Sequence, residues 1–534
     1  MPGALRGARR LAATATLTAA IMGMAACAPS SVPSTATSSQ SSSATTLSVG
    51  LPGSLSTLDV AQEAGILNYY VAQLSSEGLL GVDGNGALIP ALAQSWETTD
   101  GQTWNFTLRD GVKFHDGTDV TIDDVLFSIE VARDPERSPS TAVYWPEGVN
   151  VAANGDNGIT ITLPAPAVNF GWTVTSNGGL WITSKAYYEA AQAYGSSTDL
   201  IMGTGPYKPV AFQPDSHATF ERVDTWWGTA NDAAAHTVEF AFFSDESTRL
   251  LAQQSGEIDV ALQVPAAQTE QYGAITGAKA ITLTDRSYVG LTFDAGVAPF
   301  DDIHVRRAIA YAIDREAIVS SILQGRGEVA TSIESPEQLG TEIGVDAARD
   351  LIAGLPTYNF NLDKAKEELA QSSVPQGFDA ELLYPNSIPE LGTAALAIAD
   401  NLKGLGINLT VTDQPVEQWI STLGTGDYGI SYMSYTPTTG DAVEISGWLL
   451  GPGNPARYVN DEVQSLIAAS TSQTDATQRA TDAVAATKIA LDDLAYAPMW
   501  WGAQTTVLGP KVSASELSPY FFMTPWALSL PVTQ

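Results

Sequence analysis

This chain predicts an α/β fold with more than one domain, and three observations carry that reading. Helical and strand-like segments alternate through its second half. About 490 residues remain after an N-terminal leader and linker, enough for two or three domains with large cores. The 534 residues include a single cysteine, so no intramolecular disulfide can staple the fold and burial of apolar surface must hold it.

The leader comes first. Arg6, Arg9 and Arg10 precede an apolar run over residues 11–26, which ends at Cys27. A basic start, a short apolar stretch and small residues before a cut make a secretory signal over residues 1–26. A stretch of this length falls short of the ~20 residues that span a bilayer. The segment Met24-Ala25-Ala26-Cys27 resembles the lipobox of bacterial lipoproteins, although leucine is commoner where Met24 stands. The resemblance implies lipidation of Cys27; ordinary cleavage leaving a free thiol is the alternative. Residues 27–46, rich in Ser, Thr, Ala and Pro, lack the apolar content to bury a core and read as a disordered tether reaching ~25 Å.

The folded body is expected to open with the alternating strand Thr46-Leu-Ser-Val-Gly50. Residues 68–80 carry Val71, Leu74, Leu79 and Leu80 at helical spacing. Trp104-Asn-Phe-Thr-Leu108 alternates with period two, and Arg109-Asp110-Gly111 is a turn signal, so residues 104–114 read as a β-hairpin closed on Lys113-Phe114. Asp116-Gly117 marks a second turn. Thr121 is placed to cap a helix over 125–132, with Asp123 and Asp124 in its positive first turn.

A new section begins near Pro299. Asp301 or Asp302 can cap a helix whose Val305, Ala308, Ile309, Ala312 and Ile313 form one apolar stripe. A helix over 318–323 stops at Gly325. Residues 393–402 are helical, Gly404 and Gly406 break the helix, and 407–411 form a strand. Residues 417–423 and 428–435 repeat that helix-then-strand order.

Charge narrows the partners. Lys plus Arg number 25 against 59 Asp plus Glu, for a net charge of −34, which excludes nucleic acid and anionic lipid as binding surfaces. The four histidines, His115, His217, His236 and His304, show no metal-ligand spacing, and no metal or other cofactor is expected. His115, beside a turn, is expected to face solvent. No nucleophile–base or zinc-hydrolase motif is present, so the chain reads as non-catalytic. Gly203-Thr-Gly205-Pro206 lacks the third glycine of a dinucleotide loop and reads as a strand-entry turn. Aromatics are more suggestive. Trp500 and Trp501 follow Pro498 in an apolar strand, Tyr432 and Tyr435 punctuate another, and Trp448 follows. They are either core or cleft residues. Adjacent strand residues face opposite ways, so at most one of Trp500 and Trp501 enters a given cleft.

Four segments carry a family likeness. The first is Pro90-Ala-Leu-Ala-Gln-Ser-Trp-Glu97, continuing through Trp104 to Gly117. The second is Gly203-Thr-Gly-Pro-Tyr-Lys208 with Glu221-Arg222 and Trp226-Trp227-Gly228. The third is Pro299-Phe-Asp-Asp302 with Val305-Arg-Arg-Ala-Ile-Ala-Tyr-Ala-Ile-Asp-Arg-Glu316. The fourth is the late helix with Pro498 and its tryptophans. Together they resemble the family 5 extracellular solute-binding proteins of ABC importers, of oligopeptide- and dipeptide-binding type. The resemblance implies a two-lobed periplasmic-binding-protein-like α/β fold (class II, with an extra subdomain). Lobe I would be 46–293 plus 495–534, with 89–199 as the extra subdomain, and lobe II would be 294–494, with the hinge near Asp294 and Ala495.

It also implies a ligand cleft at the lobe interface. In peptide-binding relatives an aromatic-x-x-Asp run faces the ligand's ammonium; here Tyr435 keeps the aromatic, but Thr438 stands for the carboxylate, with Asp441 three residues on. The candidate ligand-binding set is Asn68, Tyr69, Tyr288, Tyr435, Thr438, Asp441, Trp448, Trp500 and Trp501. Asp224 and Asp294 stand where asparagine is common. The implied protein is a monomeric, lipid-anchored, extracytoplasmic receptor delivering a solute to ABC permease subunits. A peptide is the default solute. An oligosaccharide or opine-like solute, a sensory partner in place of the permease, and a secreted hydrolase are the alternatives.

Overall fold

The computed structural model describes residues 45–533, apart from 64, 230, 427, 515 and 516. Cys27, the signal and nearly all of the tether lie outside the described residues. Among those described, no helix is long and apolar enough to cross a membrane.

Two long antiparallel strands, Lys279–Phe293 and Tyr496–Leu508, form the spine of an eleven-stranded sheet. At ~3.3 Å per residue the longer one spans roughly 50 Å, enough to run from one core into another. Pairing breaks between Thr284 and Tyr288, where residues 285–287 bulge out of register. On one side of the bulge, Val260–Ala261 pairs with the Val507–Leu508 end, followed across the sheet by Thr46–Pro52, Thr237–Phe243, His217–Arg222 and Tyr207–Gln213. On the other side, Ile430–Tyr435 pairs with residues 288–293 of the longer strand, followed by Asp379–Pro385 and Asn408–Gln414.

Apolar burial divides in the same way. One core gathers Leu47, Val49, Tyr207, Phe220, Phe240 and Trp526. A second gathers Leu291, Phe293, Val305, Ile309, Ile398 and Tyr432. A third, with Trp104, Phe106, Ile129, Ile161 and Phe170, lies on the four-stranded sheet built from Ala93–Glu97, Thr103–Leu108, Gly158–Thr162 and Asn150–Ala153. The alternating order predicted in the second half produces parallel pairing: helices Pro389–Lys403 and Val416–Thr425 separate the three strands Asp379–Pro385, Asn408–Gln414 and Ile430–Tyr435.

The capping signals match their helices. Thr121 accepts from Asp124 N, and Asp124 reaches back to Thr121 N at 3.0 Å, a complete capping box on helix Ile122–Ala132. Asp302, of the two aspartates considered, caps Ile303–Tyr311 by accepting from His304 N at 2.9 Å. Thr121→Ala is expected to cost about 1 kcal/mol of stability. Urea denaturation measures it, and an unmoved midpoint would show that other contacts hold this helix end.

Three expectations are corrected. The helix predicted over 68–80 is Ile66–Ala72 and ends there. The carbonyls of Leu74 and Ser75 instead accept from Tyr207 N and Gly205 N, both at 2.9 Å. This crossing is tight: a Cβ on Gly203 would stand 2.0 Å from Ser75 O, so glycine is required there. The hairpin predicted over 104–114 does not form. Thr103–Leu108 pairs with Ala93–Glu97 on one side and Gly158–Thr162 on the other, because both neighbours bury Trp104 and Phe106. Lys113 instead bridges to Asp119 across the Asp116-Gly117 turn. His115 is half-buried rather than solvent-facing. Its Nε2 donates to Gly205 O at 3.1 Å, and burial pushes its pKa down to about 4. Among the departures from asparagine, Asp294 is buried and ion-paired with Arg457, whereas Asp224 is exposed, 3.6 Å from Arg222.

Candidate ligand-binding site

Strand Ile430–Tyr435 leaves the second core as it runs toward its end. Tyr432 is fully buried and donates to Leu391 O at 2.8 Å. Tyr435, at the strand's end, is half-buried. Trp448 of helix Glu444–Leu450 stacks on its ring at 4.9 Å between centroids and 20° between planes. Its hydroxyl donates to Glu444 Oε1 at 2.8 Å. Glu444 opens that helix and gathers the preceding loop, accepting from Thr438 N and Thr439 N, each at 3.0 Å, and from the Thr439 hydroxyl. Burial raises its pKa.

Asp441 is already engaged. It forms an ion pair with Arg479, accepts from Val443 N at 3.1 Å, and accepts from Asn169 Nδ2, an otherwise distant residue, at 2.8 Å. Arg479 is 2 % exposed and also pairs with Glu342. Asp441 therefore has a structural ion pair and no free carboxylate to replace the one missing at Thr438.

Two side chains approach this loop from elsewhere. Tyr69, on helix Ile66–Ala72, is buried and donates to Gly178 O at 3.4 Å; Tyr144, on the short turn Ala142–Tyr144, is half-buried and lies within the electrostatic reach of Tyr69, Tyr435 and Glu444. Burial, first of all, pushes the Tyr144 pKa up to about 12. The loop also touches the spine and the last part of the chain. Arg286, in the bulge, donates to Thr439 O at 2.9 Å and stacks 3.6 Å over the Tyr520 ring. Gly440 lies so close to Gly86 that a Cβ would stand 2.0 Å from Gly86 O.

Of the residues singled out in the sequence, Tyr69, Tyr435, Thr438, Asp441 and Trp448 come together here. Tyr435, Tyr288 and Trp501 sit opposite one another on three adjacent strands and so share one face. Tyr288 is fully buried, and its hydroxyl has no hydrogen-bond partner among the described residues. Trp501 donates to Ser332 O at 3.2 Å and edges a cavity of about 410 Å³ beside Glu328 and Arg349. Trp500 points the other way, and both tryptophans belong to the second core. Asn68 stands apart, donating to Glu63 at 3.0 Å. Tyr144 and Glu444 were not found from sequence. Glu444 had one usable signal, an acid in the first turn of a helix after a polar loop; Tyr144 sits in a three-residue turn with no periodicity.

One sheet carried through two cores, with a third core beside it and an aromatic joint supplied from separate parts of the chain, defines the class: a two-lobed α/β periplasmic-binding-protein fold. Residues 87–457 match the family described as bacterial extracellular solute-binding proteins, family 5, middle region, and the chain belongs to that family. Its members bind a solute outside the cytoplasm and deliver it to an ABC transporter. The chain is 27% identical over 441 residues to the probable D,D-dipeptide-binding periplasmic protein of Escherichia coli K12, covering 80% of this chain and 82% of that one. Its fold is similar to the periplasmic binding protein AgaA of A. tumefacien R10, solved with agropinic acid (TM-score 0.80, 24% identity, 92% and 99% of the two chains). It is also similar to Helicobacter pylori DppA, solved with the peptide STSA (TM-score 0.79, 20% identity, 92% and 98%).

Proposed function

We propose that the chain is the lipid-anchored receptor of an ABC importer, without catalytic activity of its own. It closes on a small organic solute where lobe I (46–293 plus 495–534, with 89–199 as its subdomain) meets lobe II (294–494). The observation that carries the reading is the loop from Tyr435 to Glu444, where the Tyr435 hydroxyl meets Glu444 and which Asn169, Arg286 and Tyr520 reach from distant parts of the chain. Aromatics with polar tips, drawn from both sides of an interface, suit a ligand enclosed by lobe closure. Peptides are the first class to try, because dipeptide- and oligopeptide-binding proteins are among the relatives. A non-peptide solute is favoured by the engagement of Asp441 with Arg479, since an ammonium opposite Thr438 alone would be costly to desolvate.

The test is mass spectrometry of the solute retained by protein purified from its native host, followed by its return to stripped protein in small-angle scattering. A retained solute that shrinks the radius of gyration supports the reading; a retained solute that is chemically converted overturns it. Cys27→Ser is expected to release the protein from the membrane with solute affinity unchanged, read by fractionation and calorimetry. Retention in the membrane fraction would discard the lipid anchor.

A further inference from the structure

We propose that the solute carries a positively charged, alkylated nitrogen, received by the Glu444 carboxylate and the half-buried rings of Tyr144 and Tyr435. The inference rests on the receptor reading above and names the ligand class of that same site.

The first argument is charge. Among the described residues, no lysine, arginine or histidine forms an ion pair with Glu444, and Thr439 ties it to the loop that carries Asp441, of the same sign. Arg479 is committed to Asp441 and Glu342. Arg286, the other nearby guanidinium, donates to the Thr439 and Pro519 carbonyls and stacks on the Tyr520 ring, with only its buried Nε lacking a hydrogen-bond partner among the described residues. Three carboxylates thus stand around the loop with two guanidiniums. Desolvating a carboxylate without a counter-charge is costly, and a ligand cation removes that cost. An anionic solute would add to it.

The second argument is hydrogen bonding. Each oxygen of Glu444 already accepts twice, Oε1 from the Tyr435 hydroxyl and Thr438 N, Oε2 from Thr439 N and the Thr439 hydroxyl. A carboxylate offers about four acceptor positions, so a primary ammonium would find none vacant for its N–H groups. An alkylated ammonium donates few hydrogen bonds or none and is held by the field of the carboxylate and by aromatic faces. Tyr144, Tyr435, Glu444 and Trp448 are half-buried rather than sealed, so a ligand can reach them.

The experiment titrates ligand-stripped full-length protein with choline, its uncharged tert-butyl isostere, ethanolamine and the dipeptide Ala-Ala, by calorimetry. Choline is expected to bind about tenfold or more tighter than the isostere and ethanolamine. Glu444→Gln and Tyr144→Leu are each expected to remove most of that advantage. Equal binding of choline and the isostere would show recognition by shape and overturn the proposal. Tighter binding of ethanolamine would show recognition by N–H donation and overturn it as well. If Ala-Ala or the co-purified solute binds and choline does not, the cation assignment fails while the receptor reading stands. If neither the probes nor the co-purified solute binds, both fail. The comparison of probes on the unaltered protein decides the matter even where Glu444→Gln does not fold.

Discussion

Replacing Arg479 with methionine is expected to lower the unfolding free energy by about 3–5 kcal/mol, the usual loss when one partner of a buried ion pair is removed. Arg479 holds Asp441 and Glu342 at once and donates to Ser470 O at 3.1 Å. Its side chain is 3% exposed, against 4% for Asp441 and 16% for Glu342, so solvent screens the pairs little. Without the guanidinium, two carboxylates would remain close together in a desolvated setting and would take up protons or water. The double variant Arg479→Met with Asp441→Asn is therefore expected to recover part of the loss, which a double-mutant cycle in urea would measure. An unmoved midpoint in the single variant would mean that Asp441 is not held as described. The proposed consequence for function is positional: Asp441 also accepts from Asn169, so loosening it should loosen the loop that carries Thr438 and Thr439.

The largest effect on binding is expected at Tyr435. Tyr435→Ala should weaken solute affinity by ~1–3 kcal/mol, the range for a buried aromatic anchor. Two contacts disappear together in that variant, the stack on Trp448 and the hydroxyl donated to Glu444. Tyr435→Phe separates them. It keeps the stack and removes the hydrogen bond, so it should retain most of the affinity if the ring is the anchor. Calorimetry with the co-purified solute checks both, and affinity unchanged in Tyr435→Ala would take this residue out of the pocket.

Local rules were legible wherever the determining contact is local. The Thr121–Asp124 box spans one helical turn, and Asp302 meets His304 two residues away, so side chains and backbone report their own geometry. The alternation across 389–435 was legible because apolar periodicity tracks the face each element buries. Periodicity misled at Leu74, Leu79 and Leu80. All three are buried, but the carbonyls of Leu74 and Ser75 are claimed by residues 205 and 207, far along the chain. The strand beginning at Thr103 was recognised as a strand and given the wrong partner, since pairing is chosen by which neighbour buries Trp104 and Phe106 and not by the nearest turn.

The sequence by itself determined the α/β class and the family, properties carried by short runs of adjacent residues. Only the tertiary structure decided what each charged group is free to do. Read along the chain, Asp441 is the carboxylate that stands out, and Glu444 is not. Folding brings Arg479 to the first and leaves the second with Tyr435, Thr438 and Thr439. An ion pair depends on distances of a few ångströms between residues tens to hundreds of positions apart, and no local pattern encodes that.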